Sequence, residues 1–410
     1  MSRMFSRTRT LCHALLGVLS LGALACAPEE EAPEDGVKVG LLLPFTGTSS
    51  ATSNNFERAA MFAASNVNTA GGINGKKLQL IAADTHSELE RAERSVEALL
   101  AQDIEILIGP ESADIAAAIA PRLAERGVVF LSPLVGAAND LEVDCTRPWF
   151  RLAPSARSLG EALAKELGAR EIGRVALLFA GDSYNQALRG AVASRFERLG
   201  GTVSLEVEVD PDAQGYSSVV RQVLLQDVDA IVLATSARTG ALIVNEMDAL
   251  SRKRPKWFLS PLLKTELLVQ NVAPSALEGA IGVAPRIYDT GQSFPVSFSS
   301  RWDGDQALEG AYFYYDAVSL SAFALAKHAH DEHDDEGQEL AEAILDVAAT
   351  RGQAFRWYEL ALGLERLADG AEVNYTGLTG PMLLQDCGER QLGATTTWEV
   401  HSGVIRDIDD

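Results

Sequence analysis

One short segment has the spacing of a hydrolase nucleophile, but its departures from that pattern argue against catalysis. Gly181-Asp-Ser-Tyr-Asn185 follows an apolar run and precedes a helical pattern, as the serine-bearing turn of a G-x-S-x-G motif does. The fifth position is asparagine, and none of the histidines farther along the chain lies at an evident strand end. Asp182 is better explained as the N-cap of the following helix. We therefore predict no enzymatic activity at this turn.

A glycine-rich segment also fails as a phosphate-binding loop. Gly72-Ile-Asn-Gly-Lys-Lys77 has the wrong glycine spacing, and no serine or threonine follows the lysines. Asn74-Gly75 is instead a dipeptide that strongly favours a two-residue hairpin turn. We predict a turn there and no nucleotide site.

Histidines and carboxylates are concentrated in one segment that could bind a metal ion. Three of the six histidines, His328, His330 and His333, stand among five carboxylates between His328 and Glu336. Imidazole and carboxylate are suitable ligands for Zn²⁺ or Ni²⁺. An exposed acidic loop needs no metal, and composition alone does not distinguish the two. We predict no functional metal site and keep the three histidines as the alternative.

The densest set of polar side chains lies where the first strand is expected to end. Val37–Leu43 is typical of a buried strand, and a helical pattern begins near Asn55. The loop between them is rich in uncharged hydrogen-bonding side chains, of which we select Thr46, Ser49 and Asn54 as ligand contacts. Such groups would orient a polar ligand without the desolvation penalty of a buried charge.

Short apolar runs alternate with amphipathic helical patterns along most of the chain. The predicted strands are Val37–Leu43, Lys77–Ala82, Ile104–Ile108, Val128–Leu131, Val175–Phe179, Val203–Val209, Ala230–Ala234, Trp257–Leu259 and Gly279–Val283. This alternation predicts an α/β fold with doubly wound parallel sheets, in which ligands bind beyond the carboxyl ends of the strands. Because the pattern occurs twice, from Val37 to Leu131 and from Val175 to Val283, we predict two lobes with a cleft between them.

The composition excludes several classes of partner. With 410 residues, 47% of them hydrophobic, the chain is long enough to bury two cores. A net charge of −22 would repel nucleic acid and anionic lipid, so neither is an expected partner.

The first residues have the order of regions found in a secretory signal peptide. A basic start with Arg3, Arg7 and Arg9 precedes an apolar stretch from Leu11 to Leu24. The small residues before Cys26 make the segment similar to a bacterial lipoprotein signal with Cys26 as the lipidation site, and a plain signal peptide cut nearby is the alternative. We assign residues 1–25 to the signal and 26–36 to an acidic tether. No other stretch is apolar enough to span a membrane, so the lipid would be the only anchor.

Two cysteines remain after Cys12 leaves with the signal and Cys26 is lipidated. These are Cys145 and Cys387. An even pair in an exported protein favours a disulfide, and two unrelated thiols are the alternative.

An ordered set of segments resembles the type I periplasmic binding proteins of the leucine/isoleucine/valine-binding class. The set includes "VKVGLLLPFTG", "ILIGPESADIAAAIAPRLAERGVVFLSP", "VALLFAGDSYNQALRGAV" and "GAYFYYDAVSLSAFALA", and the similarity extends from Val37 to Val404. It implies two α/β lobes joined by three crossings, with residues 37–156 and 287–392 in lobe one and residues 157–286 and 393–410 in lobe two. Both remaining cysteines would then lie in lobe one near the hinge, which favours their disulfide.

The resemblance also implies positions for the ligand contacts. Family members that bind amino acids hold the ligand carboxylate with hydroxyl and backbone N–H groups, and the ammonium with an acidic side chain. Carried over, Ser112, Tyr184 and Ser236 would face the cleft. The acidic position falls on Leu262, so an α-ammonium would lose a charge-assisted partner. Lys264 could instead favour an anionic ligand.

These expectations favour a binding protein over an enzyme. The leading hypothesis is a lipid-anchored periplasmic protein that closes on a small polar solute, such as an amino acid or related carboxylate. It would present that solute to the permease of an ABC importer in the inner membrane. Two alternatives stay open: an outer-membrane lipoprotein that regulates a cell-wall synthase, and a ligand sensor for a membrane receptor. We expect a monomer without a cofactor.

Overall fold

The computed structural model describes most of the chain from Gly36 onward. The described residues are 36–134, 149–251, 255–288, 293–330, 336–385, 388–390 and 395–408, without the side chains of 336–339. They belong to one unit by their contacts. Cys26, Cys145, Cys387 and His333 lie outside the described residues, so the expectations that concern them remain predictions.

The first large sheet has five parallel strands in the order β2-β1-β3-β4-β5. The strands are β1 (Val37–Leu43), β2 (Leu78–Asp84), β3 (Ile106–Ile108), β4 (Val129–Ser132) and β5 (Trp149–Arg151). The last five residues of β1 are all buried, as expected for a strand covered on both faces.

Helices cover both faces of this first sheet because its strands are apolar on both sides. Side chains of Val39 and Leu41 pack into a core with α1 (Ser53–Thr69) and α10 (Glu309–His328). Leu42 points to the opposite face, where the core is completed by other helices. Those helices are α2 (Leu89–Leu100) and α3 (Ala113–Glu125).

The second large sheet has seven strands in the order β15-β14-β10-β9-β8-β6-β7. The strands are β6 (Arg174–Ala180), β7 (Thr202–Val209), β8 (Ala230–Ala234), β9 (Lys256–Leu259), β10 (Ile281–Pro285), β14 (Thr395–His401) and β15 (Val404–Asp407). Strands β6 to β10 are parallel, and the final hairpin β14-β15 is antiparallel to β10.

Helices again cover both faces of the second sheet. One face packs against α4 (Ala156–Ala169) and α5 (Ser183–Arg198). The other packs against α6 (Ser217–Leu224), α7 (Ala237–Leu250) and α8 (Glu266–Gln270).

A small third sheet and three helices extend the core of the first sheet. These elements are α9 (Ser293–Arg301), α11 (Glu336–Ala348), β11 (Gln353–Arg356), α12 (Leu360–Ala368), β12 (Val373–Gly377) and β13 (Gly380–Pro381). We call them, together with α1 to α3, α10 and the first sheet, the first lobe. The second sheet with α4 to α8 is the second lobe. The chain passes between the lobes after β5, after β10 and after β13.

A fully buried carboxylate joins α10 to the β12-β13 hairpin. Asp316 accepts hydrogen bonds from the Tyr375 hydroxyl at 2.8 Å, the N–H groups of Leu378 and Thr379 at 2.8 Å each, and the Thr379 hydroxyl at 2.7 Å. Burial raises the pKa of Asp316, and the four hydrogen bonds oppose that shift. The carboxylate thus accepts hydrogen bonds from two backbone N–H groups in the turn of the hairpin, which would otherwise be buried without an acceptor.

A guanidinium then connects the same hairpin to the first crossing between the lobes. Arg390 donates to the backbone oxygens of Thr379 at 2.6 Å and Pro381 at 2.8 Å, and to that of Leu152 at 3.1 Å. Leu152 directly follows β5, so this arginine ties together two of the three chain segments that run between the lobes.

The α/β fold class with parallel sheets is confirmed, and so are several local predictions. Ile73 and Lys76 form a bridge around Asn74-Gly75, and both turn residues have positive φ. Asp182 is the N-cap of α5 and accepts a hydrogen bond from the Asn185 N–H at 3.0 Å. The last predicted strand begins two residues late, at Ile281, because Gly279 has a φ of 73° and forms a turn.

Gly282 of β10 provides a sharp test of packing in the second lobe. A Cβ at this position would overlap two atoms of the fully buried Trp398 ring on β14. We expect Gly282→Ala to lower the free energy of unfolding by about 1–3 kcal/mol, since the rigid ring must move. Urea denaturation measures this. Gly190→Ala on α5 is the matched control, because its Cβ would meet no atom within 4 Å, and it should be neutral or mildly stabilising. An equal loss in both variants would contradict the packing account.

Candidate ligand-binding cleft

The carboxyl ends of the parallel strands in the two lobes face each other. Helices α3 and α5, which begin at these two edges, contact one another. The charge of Glu309 on the first lobe also acts on Tyr184 of the second lobe. Loops at the carboxyl ends of parallel strands are where α/β proteins bind ligands, so the space between these edges is the candidate site.

The polar loop after β1 is held by the neighbouring loop after β2. The Thr46 hydroxyl donates to Asp84 Oδ2 at 2.7 Å and lies 2.7 Å from His86 Nδ1. The Ser49 N–H donates to Ser87 Oγ at 3.1 Å. Burial opposes the shift, but hydrogen bonds from Thr46 and from the His86 N–H lower the pKa of Asp84. Thr46 is therefore already engaged within the wall of the cleft, and the Ser49 side chain is exposed.

Asn54 and its neighbour Asn55 have different surroundings. Asn54 is exposed in the first turn of α1, whereas Asn55 is buried. The Asn55 side chain donates to the Gln306 carbonyl at 2.8 Å and accepts from the Leu308 N–H at 2.9 Å. Asn55 thereby fixes the segment that leads into α10, a positioning role that the sequence did not reveal.

The loop after β3 brings a carboxyl group and a hydroxyl group to the same edge. Ser112 is the N-cap of α3 and accepts a hydrogen bond from the Ile115 N–H at 3.4 Å. Beside it, Glu111 Oε2 is buried and has no hydrogen-bond partner among the described residues. Burial raises the pKa of Glu111 to about 7, and the negative charge of Asp84 adds to the shift. The Tyr314 hydroxyl, within electrostatic range of Glu111, is also buried and unpartnered in the described part of the chain.

Tyr184 lies in the first turn of α5 on the second lobe. Burial raises the pKa of Tyr184, and the negative charges of Glu309 and Asp182 contribute. The phenol therefore stays neutral and can both donate and accept a hydrogen bond at neutral pH.

Small hydroxyl side chains end the next two strands of the second lobe. Ser236 is the N-cap of α7, accepting from the Thr239 N–H at 3.3 Å and donating to the Thr239 hydroxyl at 3.1 Å. Thr235 and Ser260 follow β8 and β9 directly and are fully buried, and within the described ranges their hydroxyls have no partner.

Lys264 is already neutralised by an acidic neighbour in its own lobe. Its Nζ lies 2.8 Å from Asp407 Oδ1 at the end of β15, and its side chain is 15% exposed. Glu309, the first residue of α10, faces this pair from the other lobe. Burial raises the pKa of Glu309 to about 7, while the charge of Lys264 opposes the shift and that of Asp407 reinforces it. Between the described residues, no hydrogen bond or ion pair to the Glu309 carboxylate is present.

Neither Leu262, where the resemblance places an acidic side chain, nor the nearby Glu266 is buried. Leu262 is 48% exposed, and Glu266 is an exposed residue in the first turn of α8. The sequence does not single out Glu309 as a cleft residue, because only the tertiary fold brings its carboxylate within electrostatic range of Lys264. The family-like segment quoted above starts at Gly310, so the residue immediately before it was the available signal.

Two of the three histidines considered as metal ligands, His328 and His330, are among the described residues. His328 ends α10 and His330 follows it, and no group of three or more metal-binding side chains occurs in the part of the chain that the structure describes. The helices of that part include none with the length and apolar character needed to cross a bilayer.

Comparison of the sequence with known proteins identifies a family. Residues 36–356 match the family model described as periplasmic binding protein. The Leu/Ile/Val-binding protein BraC3 of Rhizobium johnstonii is 24% identical over 244 residues, which is 59% of this chain and 64% of that protein, so the chain spans under two thirds of its length. An amino acid binding protein of Pseudomonas aeruginosa is 23% identical over 335 residues, 80% of this chain and 85% of that protein.

Solved structures with the same fold bind different molecules. A leucine binding protein of Thermotoga maritima superposes with a TM-score of 0.74 at 18% identity, over 91% of this chain and 98% of that one. A solute-binding protein of R. palustris in complex with benzoate gives a TM-score of 0.72 at 16% identity, over 91% and 95% of the chains. At such identities the likeness establishes the fold, and the ligand has to be argued from the side chains of the cleft.

Proposed function

The chain belongs to the periplasmic binding protein family, and from that premise we propose that it captures a small polar solute between its lobes for an ABC importer. The proposed solute class is an amino acid or related carboxylate, as the names of its relatives suggest. One observation supports this most strongly. Buried polar atoms without partners in the described part of the chain, among them Glu111 Oε2, Thr235 Oγ1 and Ser260 Oγ, lie in the loops that follow β3, β8 and β9 at the facing strand ends of the two lobes. Buried polar groups need hydrogen-bond partners, and a bound ligand would supply them.

Capture would follow from contacts on both lobes. A ligand shifts an equilibrium between open and closed forms only by its differential affinity for them, so contacts that exist only after closure drive it. Ser112 and Tyr184 would provide such contacts from opposite lobes. We propose Thr46, Ser49 and Asn54 as a polar rim, and Ser236 and Lys264 as groups that shape the second-lobe wall.

The remaining features are proposed on the sequence alone. They are lipidation of Cys26, a disulfide between Cys145 and Cys387, a monomeric state, and lobe boundaries at 37–156 with 287–392 and 157–286 with 393–410. Lipidation would keep the protein at the membrane that contains the permease.

A ligand screen tests the proposed function. The soluble chain from Gly36 onward is unfolded and refolded to remove carried ligand, then heated with amino acids, amines, short and aromatic carboxylates, polyamines and sugars. A ligand at 100 times its Kd adds about 2.7 kcal/mol of stability, enough to raise the unfolding midpoint by several degrees. If no compound shifts the midpoint of the folded protein, solute capture is wrong, and a protein partner such as a cell-wall synthase becomes the better hypothesis.

Tyr184→Ala locates any hit in the cleft. We expect at least about a tenfold loss of affinity, because the substitution removes both a ring contact and a hydrogen-bonding hydroxyl from the second-lobe wall. Isothermal titration measures it. Tyr358→Ala is the control, since Tyr358 is 59% exposed on the first lobe, and its affinity should match that of the unmodified protein. Equal affinities for all three proteins would place the ligand outside the cleft.

A further inference from the structure

The three crossings between the lobes converge on the turn of the β12-β13 hairpin. Arg390 Nη1 donates a hydrogen bond to the Leu152 carbonyl at 3.1 Å, which holds the first crossing. The Tyr288 N–H of the second crossing donates to the Leu378 carbonyl at 2.8 Å, and the Tyr288 ring lies where a Cβ on Gly380 would overlap it. The third crossing begins at this same turn, so one turn contacts all three.

A threonine hydroxyl links this turn to α10 of the first lobe. Thr379 Oγ1 accepts a hydrogen bond from Arg390 Nη1 at 3.0 Å and donates to Asp316 Oδ2 at 2.7 Å. The guanidinium can only donate and the carboxylate only accepts, so the direction of both bonds is fixed. Burial lowers the pKa of Arg390, and the negative charge of Asp316 opposes that shift. The two charges therefore form an ion pair joined through a hydroxyl.

On the side of the second lobe, each of the first two crossings narrows to a single residue. The first crossing packs in the first-lobe core up to Ala153, and Ser155 is already the N-cap of α4, so only Pro154 lies between them. In the second crossing, β10 ends directly before Arg286, and Ile287 directly after it packs against the first-lobe core. Residues 391–394 of the third crossing lie outside the described residues.

We propose that the chain Asp316–Thr379–Arg390, which we call the clamp, joins the three crossings to the first lobe as one body, and that the second lobe turns about Pro154 and Arg286. This inference rests on the proposed function in one respect, because opening and closing are the movements that these links would serve. Hinges of this kind are a few residues that absorb changes in φ and ψ. The ring of Pro154 fixes its φ, so the first link turns mainly through ψ.

Amide hydrogen exchange of the ligand-free protein, measured by mass spectrometry of short peptides, tests the clamp. Thr379→Val removes the hydroxyl and keeps the shape of the side chain. The amides to follow are those of Leu152, Tyr288 and Leu378, one for each crossing. We expect all three to exchange at least about fivefold faster than in the unmodified protein, the factor that one lost hydrogen bond of ordinary strength gives.

Two results would overturn the clamp. An increase confined to Leu378 would show that the Thr379 hydroxyl supports only its own hairpin. An equal increase in β6, a core strand of the second lobe, would show that the whole protein is less stable and that the crossings are not specifically joined.

Three further variants sharpen this test. Thr379→Ser keeps the hydroxyl and should return the three amides to within about twofold of the unmodified protein. Thr376→Val removes a half-buried hydroxyl from β12 of the same hairpin and should leave them equally unchanged. Arg390→Lys keeps the charge but lacks the planar fork that reaches Leu152 and Thr379 together, so it should repeat the effect of Thr379→Val. If Thr379→Ser exchanges as fast as Thr379→Val, the hydroxyl is not the link.

Pro154→Gly tests the pivot separately. Glycine frees φ at the link and leaves the clamp intact, so the three amides should stay within about twofold. Because α3 and α5 contact each other in this structure, a looser link should raise the radius of gyration measured by small-angle X-ray scattering. Pro274→Gly, at an exposed turn of the second lobe, is the matched control and should not change it. An unchanged radius in Pro154→Gly, or faster exchange at Tyr288, would show that the lobes turn elsewhere.

These measurements need no solute, so they separate this inference from the proposed function. Without the joint increase in Thr379→Val, the clamp is wrong whether or not the ligand screen finds a solute. A joint increase together with an empty screen supports the clamp and contradicts solute capture.

Discussion

Replacing Asp316 by alanine is expected to lower the free energy of unfolding by about 3–5 kcal/mol, the largest effect we expect from a single substitution. The reason lies in the donors left behind. The N–H groups of Leu378 and Thr379 both point at this carboxylate, as do the hydroxyls of Tyr375 and Thr379. Each buried donor without an acceptor costs about 1–3 kcal/mol. The thermal midpoint should fall by roughly 5–10 °C.

Asp346→Asn is the matched control for this substitution. Asp346 is on α11 of the same lobe, its side chain is 55% exposed, and its ion pair with Lys327 is long, at 3.5 Å. Exposed pairs of this kind contribute about 0–1 kcal/mol. Thermal and urea unfolding measure both variants. If Asp316→Ala lowers the free energy of unfolding no more than the control does, water replaces the carboxylate. The hydrogen bonds of Asp316 would then not contribute to stability.

If the ligand is an amine that Glu309 binds, its affinity is expected to fall roughly fiftyfold between pH 7 and pH 5. Glu309 must be ionised to bind the ammonium, and its pKa is raised by burial to about 7. Affinity then falls about tenfold for each pH unit below that value. The charged or titratable groups that act on Glu309 are Tyr184, Lys264 and Asp407. Burial also raises the pKa of Glu111 to about 7, and the charge of Asp84 adds to that shift. Isothermal titration across this range, with Glu309→Gln alongside, measures the slope.

Stability of the ligand-free protein should change with pH in the opposite direction. In the unfolded chain the Glu309 carboxyl has its ordinary pKa of 4.5, so between 4.5 and about 7 the folded state holds a proton that the unfolded state has lost. The contribution of this group to stability is therefore full at low pH and is lost as pH rises through about 7. The midpoint of Glu309→Gln should exceed that of the unmodified protein most at high pH. A constant difference across the range would contradict the raised pKa.

Much of the fold could be predicted from the sequence because the residues that determine each element lie close together along the chain. The consecutive apolar residues of β1 specify a doubly covered strand, and Asn74-Gly75 specifies a turn through the φ values it permits. Asp182 is a cap because the donor it satisfies is three residues away. In each case neighbours in sequence decide the structure.

Less of the candidate site could be predicted from the sequence, because its side chains come together only in the tertiary fold. Lys264 was proposed as a cation for an anionic ligand, and nothing near it in sequence indicates the carboxylate of Asp407 that neutralises it. Thr46 was expected to offer its hydroxyl to a ligand, and its bond to Asp84 depends on the register of β1 beside β2. Glu309 and Asp316 both lie on α10, and their positions along the chain do not distinguish them. In the fold, Asp316 binds the β12-β13 hairpin, whereas the charge of Glu309 acts on Tyr184 of the second lobe.

The order of the elements along the chain has a consequence for biosynthesis. The first sheet is complete by Arg151, but α10, which covers one of its faces, comes only after the strands β6 to β10 of the second lobe. The second lobe in turn lacks β14 and β15 until residues 395–407 have left the ribosome. Neither half can finish its core while the chain is partly made, so folding waits for nearly the whole polypeptide. A chain with this property stays unfolded for longer during its synthesis. That would suit a polypeptide that crosses a membrane before it folds.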